Sequence, residues 1–221
     1  MLHPLGMMAV IAVVFSHVMS LPVKDYAVFL FAGLLPWNYF NSTVMMSLGN
    51  IRANARLFAQ VPIPRYMPIV SVAMSNLVNF CLAIVPLMVI MVFTGRAVPA
   101  TALFFPVVIL PLFCVVLGVS LILSVSSVFF DDTLHLAEVA MQAFYFLCPI
   151  LYRREMLPQR LIRYLVLNPL FGEIEFIRGL FYEGVLPGAI PFALNCAASL
   201  FILSIGLFVF TKAQNKLLYF I

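Results

Sequence analysis

Apolar residues run in long blocks along this chain, separated by short polar punctuation. The blocks fall at 2–20, 27–48, 67–93, 101–130, 134–152 and 189–211. A helix crosses the hydrocarbon core of a bilayer in roughly 20 residues, so the pattern predicts about six membrane-spanning helices in an all-α polytopic bundle. Pro36, Pro86, Pro106, Pro111, Pro149 and Pro191 lie within the blocks. Neighbouring helices in a bundle can re-satisfy the carbonyls that proline frees.

Two connections break the pattern. In 50–60, Ile51, Ala55 and Phe58 share one helical face while Arg52, Asn54 and Arg56 turn away. This predicts a short amphipathic helix, lying on the membrane surface or docking on a partner. It stops at Val61-Pro62-Ile63-Pro64-Arg65, where two prolines forbid continuation. The second connection, 153–188, carries five arginines and four glutamates among apolar residues. Short helices at 157–166 and 172–182 are predicted there, too short to span and too apolar for a free loop. Re-entrant or interfacial pieces answer that description. Glu175 and Arg178, three apart, meet on one helical face and predict a structural ion pair.

Composition narrows the function. Of 221 residues, 65% are apolar and 9% charged, against about 25% charged in soluble chains. A water-soluble enzyme is excluded. Twelve Lys and Arg against eight Asp and Glu are too sparse for a nucleic-acid footprint. Six spans use up the length, leaving no separate soluble domain. Cys81, Cys114, Cys148 and Cys196 all sit in apolar runs without CxxC spacing, as small hydrophobes. The first run lacks the basic start and A-x-A-like end of a cleaved signal peptide. Alternating the spans puts seven basic residues on one side and five on the other, too even a split to orient the chain.

The usual chemistry is missing. There is no GxxxxGK[ST] phosphate loop, no HExxH or Cys/His cluster and no GxSxG elbow. His3, His17 and His135 stand singly. Adjacent Asp131 and Asp132 read as a helix N-cap with first-turn charge rather than an acid/base pair. No catalytic residue, metal site or cofactor is expected. Glu138 is the one clear acid inside an apolar run, whereas secondary carriers need several. Energy for transport would come from another subunit.

Several short stretches, in order, carry a resemblance. Gly33-Leu34-Leu35-Pro36-Trp37-Asn38-Tyr39-Phe40 resembles GLLPW-x-x-F. The stretch 50–65, with Asn54 and Pro64-Arg65, resembles N-x-x-L-x-x-x-x-x-F-P-R, and Phe129-Phe130-Asp131-Asp132 with His135-Leu136 resembles F-F-R-D-x-x-H-L. Pro149-Ile150-Leu151-Tyr152, Leu157-Pro158, Leu167-Asn168-Pro169 and Arg178 complete the series. Together they resemble the permease subunit of type-2 ABC exporters, in the branch exporting O-antigen, teichoic acid and related polysaccharides. Asp131 stands where that family usually has Arg. The chain also starts at Met1-Leu2-His3-Pro4, about halfway into the family's first span. An N-terminal interface helix and the start of that span are therefore expected to be missing from this single transmembrane domain, 1–221.

The resemblance implies that 49–65 and 131–133 are cytoplasmic and 153–188 is outside. It implies docking on a separate ABC ATP-binding subunit, where ATP is hydrolysed, through Asn50, Arg52, Asn54, Arg56, Leu57, Phe58, Arg65, Asp131 and Asp132. Arg52 and Arg56 would pair acidic groups of that partner, and Leu57 and Phe58 would fill its groove. Pro149, Tyr152, Pro158, Asn168, Pro169 and Arg178 would shape an outer gate. Trp37, Tyr39, Phe40, Phe144 and Tyr145 are candidate aromatics of the substrate pathway, since sugars pack their C–H faces on rings. Interfacial anchoring or helix packing is the alternative for each. The implied assembly is a homodimer among membrane lipids of the bacterial inner membrane, moving lipid-linked glycan. A drug or lipo-oligosaccharide exporter, or an inactive truncated membrane scaffold, is the other reading.

Overall fold

Without water, backbone amides and carbonyls must bond one another, and a helix does this within one segment. The computed structural model describes residues 23–60, 63–156, 158, 160, 162, 165 and 168–214, with backbone alone at 23–25, 57–59 and 155. Every regular element among them is helical. Helix α1 covers Val23–Ser47, α2 Asn50–Ala53, α3 Ala55–Gln60 and α4 Met67–Phe93. A 3₁₀ turn at Ala100–Phe104 runs into α5, Phe105–Phe129. Helix α6 is Thr133–Leu147, and a 3₁₀ turn occupies Arg154–Met156. Helix α7, Pro169–Arg178, continues through a π turn at Gly179–Glu183, and α8 is Ala189–Ala213.

Three of these stretches are long and apolar enough to cross a membrane: Met67–Phe93, Ala100–Phe129 and Ala189–Ala213. They match the predicted third, fourth and sixth runs. Helix α1 has 25 residues, but Asn38, Asn41, Ser42 and Thr43 make its second half more polar. Most of α1 is nonetheless buried on every side, because α4, α5, α6 and α7 pack around it. Helices α4 and α8 instead leave large apolar residues outside, among them Phe93, Ile190, Leu194, Phe201 and Phe208. In water such a surface would drive aggregation; in lipid it costs nothing.

Two predicted elements differ. The run 134–152 is not one span: α6 stops at Leu147 after 15 residues, about 22 Å at 1.5 Å per residue, short of the roughly 30 Å core. Pro149 cannot continue it, and the Tyr152 hydroxyl donates to the freed carbonyls of Phe146 (2.9 Å) and Leu147 (3.1 Å). The predicted helix 172–182 begins earlier, because Asn168 caps it: its Oδ1 accepts from Leu170 N at 3.1 Å, and Pro169 opens the first turn. The run 2–20 lies outside the described residues, as does most of 157–166. Pro36, Pro86 and Pro111 sit inside continuous helices.

The α5–α8 pair is the tightest contact. A Cβ on Gly206 would sit 2.5 Å from Gly118 O and 2.9 Å from Gly118 Cα, and one on Gly118 would sit 2.8 Å from Ile202 O. Small residues let helix backbones approach this closely.

Candidate functional site

The contacts define two ends of the bundle. At one, Gly49 adopts a left-handed φ of 70°, which glycine tolerates without steric cost, and turns the chain out of α1. Ile51 is then fully buried, while Arg52 reaches across to the α5–α6 turn. Its Nη1 donates to Asp131 Oδ1 at 2.6 Å and its Nη2 to Val128 O at 2.8 Å. The Arg65 guanidinium donates to Gln214 O at the end of α8. The predicted helix 50–60 is broken at Asn54, whose Nδ2 folds back onto Asn50 O at 2.8 Å. Asp132 occupies the N-cap position of α6 but makes no side-chain cap bond. The Thr133 hydroxyl instead donates to Phe130 O at 2.8 Å. Arg56 and Asp132 are exposed. The side chains of Leu57 and Phe58 lie outside the described residues. Thus Asn50, Arg52, Asn54, Arg65, Asp131 and Asp132 gather at one end, and Arg52 has its acidic partner within the chain.

Between the ends the predicted aromatics separate into two groups. Trp37 meets Tyr145 edge-on at 5.6 Å and Phe40 at 5.9 Å, geometries rings prefer. A cavity of about 500 Å³ opens beside Trp37 and Tyr145, with Asn41, Glu138 and Gln142 in its wall. A second, about 510 Å³, brings Phe40 and Phe144 beside Asn168 and Ile202. Tyr39 faces the other way: it stacks on Phe80 of α4 at 5.4 Å, and its hydroxyl donates to Ala73 O at 3.3 Å. Its surroundings are those of a packing residue.

The opposite end joins 94–104 to the π turn at Gly179–Glu183. Arg96 lies 4.5 Å over the Tyr182 ring and donates to Tyr182 O at 3.0 Å. The Thr101 hydroxyl donates to Leu180 O at 2.7 Å. Pro149 and Pro169 are buried, Tyr152 caps α6, Asn168 caps α7 and Pro158 is exposed. The predicted Glu175–Arg178 pair does not form. Glu175 pairs with Arg154 at 2.9 Å; burial pushes its carboxyl upward while the Arg154 charge pulls it down. Arg178 turns inward instead, 4% exposed. Its guanidinium lies 3.7 Å over Phe29, its Nη2 donates to Ile150 O at 3.1 Å, and it fills the space a Cβ on Gly33 would need.

Residues 1–182 match the family described as ABC-2 type transporter. The chain belongs to that family. Among proteins similar to this ABC-2 chain is an O-antigen export system permease protein RfbA of Myxococcus xanthus, 29% identical over 217 residues, covering 97% of this chain and 84% of that protein. One of the same name from Klebsiella pneumoniae is 29% identical over 187 residues, 83% of this chain and 71% of its own length. A polysialic acid transport protein KpsM of Escherichia coli is 28% identical over 225 residues, with 98% and 85% covered.

Sequence reasoning also missed a buried polar contact in this ABC-2 chain. Glu173 of α7 is fully buried and takes a hydrogen bond from Asn195 Nδ2 of α8. Glu173 Oε2 and Arg178 Nε are buried without a hydrogen-bond partner among the described residues. The available signal was Asn195 itself, an amide inside an otherwise apolar run, which needs a partner when buried.

Proposed function

We propose that the chain is the membrane-spanning permease of an ATP-driven exporter of lipid-linked polysaccharide, of O-antigen, teichoic acid or capsular type. The observation that carries this is the similarity across nearly the whole chain to permeases named for O-antigen export and polysialic acid transport. In this reading the chain is one type-2 ABC transmembrane domain in the bacterial inner membrane, and two copies pair around the glycan path. Each copy rests on an ABC ATP-binding subunit, which hydrolyses ATP.

The Arg52 end is the cytoplasmic, docking end. Helices α2 and α3 receive the partner's motion, and the Arg52–Asp131 pair passes it to the start of α6. Exposed Arg56, with Leu57 and Phe58, meets the partner directly. The Arg96 end is the outer end. Helix α7 and its π turn, anchored by Arg178 and capped by Asn168, form with Pro149, Tyr152 and Pro158 a re-entrant gate over the exit. Trp37, Phe40, Phe144 and Tyr145 line the path; Tyr39 packs.

Deletion of the gene from its own host tests this. The expected result is loss of one surface polysaccharide and accumulation of its lipid-linked form on the inner face, both restored by the wild-type gene. Unchanged surface glycan with a normal lipid-linked pool would overturn the reading.

A further inference from the structure

A cavity of about 570 Å³ opens at the Arg96 end, with Arg178 in its wall. Its charged wall is built from Arg153, Arg154, Glu175, Arg178 and Glu183, and Phe176 is one of several apolar residues that complete it. Arg154 and Glu175 neutralise each other at 2.9 Å. Arg153 is half-buried and held by Tyr182, its Nη2 donating to the phenol oxygen at 3.3 Å. Arg178 carries a buried charge with no ion pair among the described residues, and its Nε has no hydrogen-bond partner there. Glu183, the remaining acid, is exposed on the π turn. Glu175 and Glu183 both act on the Arg178 charge, yet three guanidiniums face two carboxylates, so the cavity wall keeps a net positive charge and its most buried charge is a cation. A low-dielectric wall strengthens that field.

We propose that this cavity binds an oxyanion, a carboxylate or phosphate, carried on a saccharide-sized body. Guanidinium groups match both oxyanions in geometry. A volume of this order holds a small organic ligand and is far more than a bare ion fills, while Phe176 offers a ring beside which a sugar's C–H face packs. The oxyanion comes from an acidic or phosphorylated sugar, or from the phosphate of a lipid headgroup. The proposal rests on the exporter reading only for the side of the membrane this cavity faces.

The test is titration calorimetry on the purified full chain in phosphatidylcholine nanodiscs, with glucuronic acid, glucose 1-phosphate and glucose as probes. Both charged probes are expected to bind at least about tenfold more tightly than glucose, equivalent to about 1.4 kcal/mol. Arg153→Gln should lose most of that preference. Glu183→Gln, which removes the rim carboxylate, should tighten both charged probes about threefold, a direction that simple damage to the fold does not produce. Nanodiscs containing phosphatidylglycerol separate the two sources: competition with the sugar acid assigns the site to the lipid phosphate, and its absence assigns it to the sugar. Equal binding of glucose and glucuronic acid, or no binding of any probe in either lipid, would overturn the proposal. No ATP-binding chain is present in the assay, so its outcome is independent of whether the exporter assembles.

Discussion

Replacing Gly206 by alanine adds one methyl group where α5 and α8 cross. The new Cβ would lie 2.5 Å from Gly118 O and 2.9 Å from Gly118 Cα, whereas an ordinary contact begins near 3.4 Å. Both obstructing atoms are backbone, so no side chain can rotate away, and one helix must move by most of an ångström. Over-packing of this kind costs about 1–3 kcal/mol. For a chain of this length about 2 kcal/mol corresponds to a fall in Tm of roughly 4–8 °C. Thermal unfolding in mild detergent, followed by loss of the monodisperse peak, reads it out. Ala197→Leu, on the exposed face of the same helix, is the control and should shift Tm by under about 1 °C, since surface substitutions usually fall within about 0.5 kcal/mol. If Gly206→Ala melts with wild type, or Ala197→Leu melts as early, close approach at Gly118 is not what holds α8 to α5.

Other substitutions test the remaining contacts. Asn195→Leu leaves Glu173 buried without its donor and should cost about 1–3 kcal/mol, while Glu173→Gln, which still accepts the hydrogen bond, should cost less; the same melts compare them. Arg178→Ala orphans the Ile150 carbonyl and uncovers Phe29, again about 1–3 kcal/mol, and Arg178→Lys should recover only part because it lacks the planar fork; a full recovery would show that charge alone matters there. Tyr39→Phe should lower stability by about 0.5–1.5 kcal/mol and leave surface glycan unchanged, whereas Trp37→Ala should reduce it severalfold at equal protein level. Equal export by the two variants would remove Trp37 from the path.

Long helices were legible in the chain because membrane spans are set by the length of apolar runs, which a single sequence displays directly. The early end of α6 was not, although Pro149 stood in view: Ile150 and Leu151 continue the apolar run, and hydropathy cannot distinguish a buried loop from a span. Spacing placed Glu175 and Arg178 on one helical face, but the outcome depended on Arg154 and Phe29, distant in sequence, which offered each a different partner. The break at Asn54 has a local cause instead, since asparagine's own side chain competes with the helix. Asp132 stood at the right position to cap α6, yet Thr133 made the local bonds and Asp131 was drawn to Arg52. The grouping of positions at the two ends came from the family resemblance; how their charges pair required the fold.

The central claim is that this permease works on a separate ATP-binding subunit, docked through α2 and α3. The most direct measurement is affinity purification of the chain from its own cells in mild detergent, with quantitative mass spectrometry of what accompanies it. The account predicts an ABC ATP-binding subunit in one-to-one ratio, ATP hydrolysis in the complex but not in the isolated chain, and loss of the partner when Leu57 and Phe58 are changed to Asp. A membrane-stable chain that brings down no ATP-binding subunit, or that hydrolyses ATP alone, would contradict it.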